Sequence, residues 1–159
     1  MKFLLVAALC VANEAWVSTS TEYNSFRRPS SLGAAVGIYF GTSTGNTATC
    51  ADKIYEAIGP DLAAEPVDVD TLKAGEFSSV FAQHDALILG TPTWNTGADS
   101  ERSGTGWDEM YYKSLPEIRE TLLNKKVAVF GLGDQVSYSE NYADATGEIF
   151  SVFENFGCV

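Results

Sequence analysis

A doubly wound α/β fold, with one parallel sheet between layers of helix, is predicted from Gly33 onward by two features of the chain. Short, almost wholly apolar runs alternate with stretches of helical periodicity. The apolar runs also lack the polar alternation of a half-exposed sheet, as expected of parallel strands covered on both faces. Right-handed crossovers between such strands place helices on both sides.

The elements follow in order. Residues 34–40 form the first strand. A loop then leads into a helix over 47–58, with Ala48, Ala51, Ile54 and Ile58 inward and Gly59-Pro60 as its stop. Residues 66–69 make a brief second strand, nearer an edge. Leu72, Phe77, Val80 and Phe81 give helical spacing over 71–83, and 86–90 is a third, buried strand. A long loop runs to Gly106, and a helix over 107–124 is kinked near Pro116. Residues 127–130 are the fourth strand, and a last helix over 144–156 carries Ile149, Val152, Phe153 and Phe156. No internal repeat interrupts the pattern.

A chain of 159 residues, 45% hydrophobic and 12% aromatic, can bury one core. Lys+Arg number 10 against Asp+Glu 21, a net charge of -11, which argues against nucleic acid because phosphate backbones need a basic stripe. Acidity fits docking onto basic surfaces, although solubility alone explains it equally well. Cys10, Cys50 and Cys158 match no zinc or CxxC spacing, and His84 is the single histidine, too few soft ligands for zinc, iron–sulfur or haem. Redox chemistry in this chain would have to come from an organic cofactor.

Residues 1–32 read as an address. Lys2 precedes a ten-residue apolar run over 3–12, too short to span a membrane and right for a signal-peptide core. Small residues permit cleavage after Ala12 or Ala15. The following hydroxyl-rich stretch, with Arg27-Arg28, resembles a transit peptide. Together they predict a two-part leader directing the protein to a plastid stroma, with ordinary secretion as the alternative. Residues 33–159 then hold 7 basic and 19 acidic side chains, a net of -12.

Ligands of such sheets bind beyond the carboxyl ends of the strands, near the switch point. The loop Gly41-Thr42-Ser43-Thr44-Gly45-Asn46-Thr47 sets four hydroxyls and two glycines at a helix N-terminus, where outward amides and the helix dipole favour an anion. It lacks the lysine of a triphosphate loop, so a monophosphate ester fits better; an ordinary N-cap turn is the plainer reading. In Thr91-Pro92-Thr93-Trp94-Asn95-Thr96-Gly97 a tryptophan stands just past a buried strand, where it can cover a flat ring or simply shield the core. In Gly131-Leu132-Gly133-Asp134-Gln135-Val136-Ser137-Tyr138, glycines permit close backbone approach and Tyr138 supplies a second aromatic face. One phosphate cradle with two aromatics describes a site for a phosphorylated planar heterocycle. His84 lies at the opposite end of the sheet and reads as surface or structural. Cys50 reads as a small core residue, and Trp107, Met110 and Tyr111 as packing.

Those three loops resemble the three FMN loops of the flavodoxins, and the run 98–108 particularly resembles long-chain, algal members. The resemblance implies a sheet of strand order 2-1-3-4-5 and FMN bound without covalent attachment. Thr42, Ser43, Thr44, Gly45, Asn46 and Thr47 would hold its phosphate. Trp94, following Thr93, and Tyr138 would cover the two faces of the ring. Asn95, Thr96 and Gly97 would meet its N5 edge, and Gly133 and Asp134 its pyrimidine edge. Nearby carboxylates would disfavour added negative charge and lower the potential. The implied role is a monomeric one-electron carrier without catalytic residues or metal. Its partners would be basic-surfaced redox proteins such as ferredoxin-NADP reductase and photosystem I. The alternative is an FMN-dependent quinone reductase or the flavin module of a larger reductase. Flavodoxins continue past the equivalent of Gly157-Cys158-Val159 into a fifth strand and a final helix, so the chain is expected to be a piece of a longer protein. The fourth strand is then expected to show an open edge and one sheet face to be bare.

Overall fold

The apolar runs pair as neighbouring strands of one sheet in the computed structural model, which describes residues 6–9, 35–94 and 102–158. Five strands lie in the described residues: β1 (Val6–Leu9), β2 (Val36–Phe40), β3 (Val67–Asp68), β4 (Ala86–Pro92) and β5 (Lys126–Leu132). Their spatial order is β1-β5-β4-β2-β3. Strands β3, β2, β4 and β5 run parallel, with Ile38 opposite Ile88 and Ile88 opposite Ala128. Counted from β2, this is the expected order 2-1-3-4, and the doubly wound α/β class stands.

The helices are α1 (Asn46–Ile58), α2 (Phe77–Ala82), α3 (Gly106–Glu109), α4 (Leu115–Leu122) and α5 (Asp144–Asn155). Strand residues alternate between two cores. Tyr39, Leu87, Leu89, Val127 and Val129 face one, with Phe77 and Phe81 of α2, Trp107 of α3, Ile118 and Leu122 of α4, and Ile149 and Phe153 of α5. Ile38, Phe40 and Phe130 face the other, against Ala51 and Ile54 of α1. On that second face Ile88 and Ala128 are only half-buried, whereas their neighbours Leu87, Leu89, Val127 and Val129 are fully buried. The thinner cover follows from a single described helix, α1, packing there.

Several boundaries differ from expectation for local reasons. The second strand ends at Asp68, because the Asp68 carboxylate accepts from Asp70 N (3.0 Å) and Thr71 Oγ1 donates to Asp68 O (2.6 Å), turning the chain into a 3₁₀ segment at Val69–Thr71. The next helix begins at Phe77 rather than 71, preceded by a 3₁₀ turn at Ala74–Glu76 in which Glu76 accepts from Lys73 N. The interruption expected at Pro116 lies ahead of it, as a π-helical turn at Met110–Ser114. Pro116 itself sits in the first turn of α4, where its missing N–H costs nothing.

The open edge expected at β5 is corrected by the structure. β1 pairs antiparallel with it, Val6 opposite Gly131 and Leu9 opposite Ala128. The unpaired edge of β5 offers this run a full row of backbone donors and acceptors.

Candidate functional site

Because β2, β4 and β5 are parallel neighbours, the loops leaving their carboxyl ends emerge side by side. Backbone bonds tie these exits together: Gly41 N donates to Gly90 O (2.9 Å) and Thr93 N to Leu132 O (3.0 Å). Gly90 O also accepts from Trp107 Nε1 at 2.7 Å, so α3 is pinned beneath the first loop. Gly41 has to be glycine: a Cβ there would lie 2.3 Å from Thr105 Oγ1 and 2.9 Å from Trp107 Cδ1.

The first loop is built as an anion cradle. Gly45 adopts φ 83°, a left-handed conformation that aims the chain into α1, and no side chain caps the helix there. The first amides of a helix lack intrahelical acceptors, and no acidic residue stands in the first turn of α1 to take them. A Cβ at Gly45 would meet nothing within 4 Å, so the space over the loop is open. Thr42 Oγ1 accepts from Gly45 N and Asn46 Nδ2 donates to Thr44 Oγ1, both at 3.0 Å, while Thr47 is buried beneath the helix start. Ser43, Thr44, Gly45 and Asn46 are exposed.

Two large aromatics stand at the other exits with much of their surface free, Trp94 46% and Tyr138 55% exposed. Each is set by its backbone: Trp94 N donates to Arg102 O (2.6 Å) and Tyr138 N to Asp134 O (3.0 Å). Beside Trp94, Thr93 Oγ1 is buried with no hydrogen-bond partner, a polar atom suited to a ligand group. Asp134 accepts from Val136 N and Ser137 N (3.1 and 3.2 Å). The Ser137 hydrogen bonds hold its carboxyl below the usual carboxylate range. Its side chain therefore shapes the turn, leaving the backbone at Gly133 and Asp134 to meet a ligand. Asn95, Thr96 and Gly97 lie outside the described residues.

Sequence reasoning missed the supports. Asp108 accepts from Ser103 N, Ser103 Oγ and Gly104 N (3.0, 2.8 and 2.7 Å), and Gly106 N donates to Asp70. These bonds close the end of the long loop against α3 and the β3 turn. Arg102 reaches α5, 3.5 Å from Asp144 and 3.0 Å from Glu148. Its signal was present: Arg102 is the one lysine or arginine between Lys73 and Lys113. His84 is structural, buried with its ring 6.0 Å from that of Tyr39. Cys50 is half-buried beside the α1 core, as a small packing residue would be. Trp107 and Met110 are fully buried. Among the described residues no group of three His, Cys, Asp or Glu could hold a metal ion.

An uncapped helix start under a hydroxyl loop, with two exposed aromatics at adjacent strand ends, suits a monophosphate ester joined to a planar ring. The flavodoxin family model matches residues 38–158, which contain all three loops. The chain belongs to the flavodoxin family. Similar flavodoxins include that of Synechocystis sp., 39% identical over 70% of this chain and 59% of the relative, and that of Klebsiella pneumoniae, 38% identical over 78% and 64%. The chain thus spans about three fifths of the length of these relatives. Among solved structures, Fusobacterium nucleatum flavodoxin bound to flavin mononucleotide is similar, with a TM-score of 0.63 and 25% identity over 78% of this chain and 68% of that one.

Proposed function

We propose that this chain binds FMN without covalent attachment and carries electrons singly between larger redox proteins. The observation that carries the reading is the convergence of the uncapped α1 start with Trp94 and Tyr138 on one edge of the sheet. Bound FMN supplies the redox chemistry by accepting and releasing electrons at its ring system. The hydroxyls and amides of residues 42–47 hold the phosphate, neutral donors matching a dianion without a lysine. Trp94 and Tyr138 cover the ring and exclude water. Thr93 Oγ1, Gly133 and the Asp134 backbone supply polar contacts at the ring edge, as do Asn95, Thr96 and Gly97. No acid, base or nucleophile of the protein is assigned a step.

Partners follow from charge. A net -11 favours association with basic faces, as on a ferredoxin-NADP reductase or a photosystem I docking subunit. Residues 1–32 act as the leader for plastid import in this reading. The test is an FMN titration of the chain followed by stepwise dithionite reduction. Quenched flavin fluorescence and reduction in two resolved one-electron steps are expected. Absence of binding both by this chain and by one extended to the relatives' full length would overturn the assignment.

A further inference from the structure

The two aromatic platforms belong to different loops, yet one charged residue links both. Arg102 accepts the Trp94 amide on its carbonyl at 2.6 Å, while its guanidinium reaches α5. There Nη1 stands 3.5 Å from Asp144 Oδ2, and Nε stands 3.0 Å from Glu148 Oε1 in an ion pair off the hydrogen-bond direction. Asp144 Oδ2 in turn accepts from Asn141 Nδ2 (3.3 Å), and Asn141 N donates to Tyr138 O (3.3 Å). Tyr112 Oη, from the π-helical turn, donates to the other Glu148 oxygen at 3.5 Å. The side chains of Arg102, Asp144 and Glu148 are 30%, 28% and 23% exposed, so the cluster is partly withdrawn from water.

We infer that Arg102 is a positioning residue that clamps the Trp94 loop to the Tyr138 loop through Asp144 and Glu148, setting the gap into which the planar ligand slides. Its part in ring binding rests on the FMN reading above; the clamp itself does not. Trp94 is held to Arg102 by the backbone bond, and Arg102 to α5 by the ion pairs. Arginine suits the task because its planar fork presents separate donors to two carboxylates, whereas a lysine ammonium is one point charge. In so acidic a domain, Arg102 also relieves repulsion between Asp144 and Glu148, four positions apart on one helix face.

The experiment is residue-resolved amide hydrogen exchange on the whole chain, wild type against Arg102→Gln and Arg102→Lys, with FMN and riboflavin titrations alongside. In Arg102→Gln, the Trp94 and Asn141 amides are expected to exchange about fivefold faster, the scale of a partly exposed ion-pair network. The core amide of Leu89 should not change, and Arg102→Lys should recover part of the difference. FMN and riboflavin should weaken by the same factor, because a clamp on the ring platforms is blind to the phosphate. Unchanged Trp94 exchange in Arg102→Gln would overturn the clamp, as would weakening confined to FMN. If Arg102→Gln loosens Leu89 as well, Glu148→Gln decides: faster Trp94 exchange with a quiet core supports the clamp, and no change refutes it. A wild type that binds neither ligand defeats the FMN reading, while the exchange data still decide the clamp.

Discussion

Replacing Trp107 with phenylalanine separates packing from hydrogen bonding beneath the candidate site. Trp107 is fully buried, its ring 6.1 Å from that of Phe77, and Nε1 donates to Gly90 O at 2.7 Å. Phenylalanine removes roughly 40 Å³, which at about 24 cal/mol per Å³ costs about 1 kcal/mol. The lost hydrogen bond adds about 1 kcal/mol rather than the larger penalty of a stranded carbonyl, because Gly90 O still accepts from Gly41 N. The total is about 2 kcal/mol, against about 3–5 kcal/mol for Trp107→Ala. Urea unfolding followed by circular dichroism measures both. A Trp107→Phe loss below about 0.5 kcal/mol would show that the indole does not hold the Gly41 and Gly90 exits together, and one equal to that of Trp107→Ala would refute the division between packing and hydrogen bonding.

Further outcomes are expected at three other positions. Gly45→Ala has space for its methyl group but must hold φ 83°, so thermal unfolding should show a loss of about 1–2 kcal/mol with secondary structure intact. Gly41→Ala puts a methyl group on Thr105 and Trp107 and should cost about 1–3 kcal/mol, with FMN affinity lost in parallel in a titration. Burial holds the Glu148 carboxyl above its ordinary value, against the opposing pull of Arg102 and the Tyr112 hydrogen bond, with Asp144 and Asp108 reinforcing the rise. The native state therefore holds this proton more tightly than the unfolded chain. Stability from this group is full below about pH 4.3 and falls as pH rises through the higher native value. Glu148→Gln should flatten that slope in denaturation series between pH 4 and 7; a slope identical to wild type would refute the assignment.

The residues that make the cradle and the platforms were legible because their chemistry is local. Thr42, Ser43, Thr44 and Asn46 cluster within five positions, and Trp94 and Tyr138 lie in the loops that follow strands visible as apolar runs. The parallel strands were legible for the same reason, since interior parallel strands carry no polar face, whereas their order was implied by the family resemblance. What stayed hidden depends on partners distant in sequence. Arg102 meets carboxylates 42 and 46 positions away, and an isolated cation in an acidic stretch does not announce them. The shift of the helix interruption ahead of Pro116 depends on how Met110 and Ser114 pack into the core, which periodicity does not encode. The early end of the second strand was readable in principle, as Asp68 followed by Asp70 and Thr71 is a turn-forming group.

The antiparallel pairing of β1 has a consequence in time. Val6 and Leu9 leave the ribosome well before their partners Gly131 and Ala128. At about 5–20 residues per second, the segment waits on the order of ten seconds before its place on the sheet exists. Throughout that interval the apolar run is accessible to whatever reads nascent chains, and it is withdrawn only when the domain closes. The strand at this edge of the sheet is therefore the last to be paired although it is the first to be made.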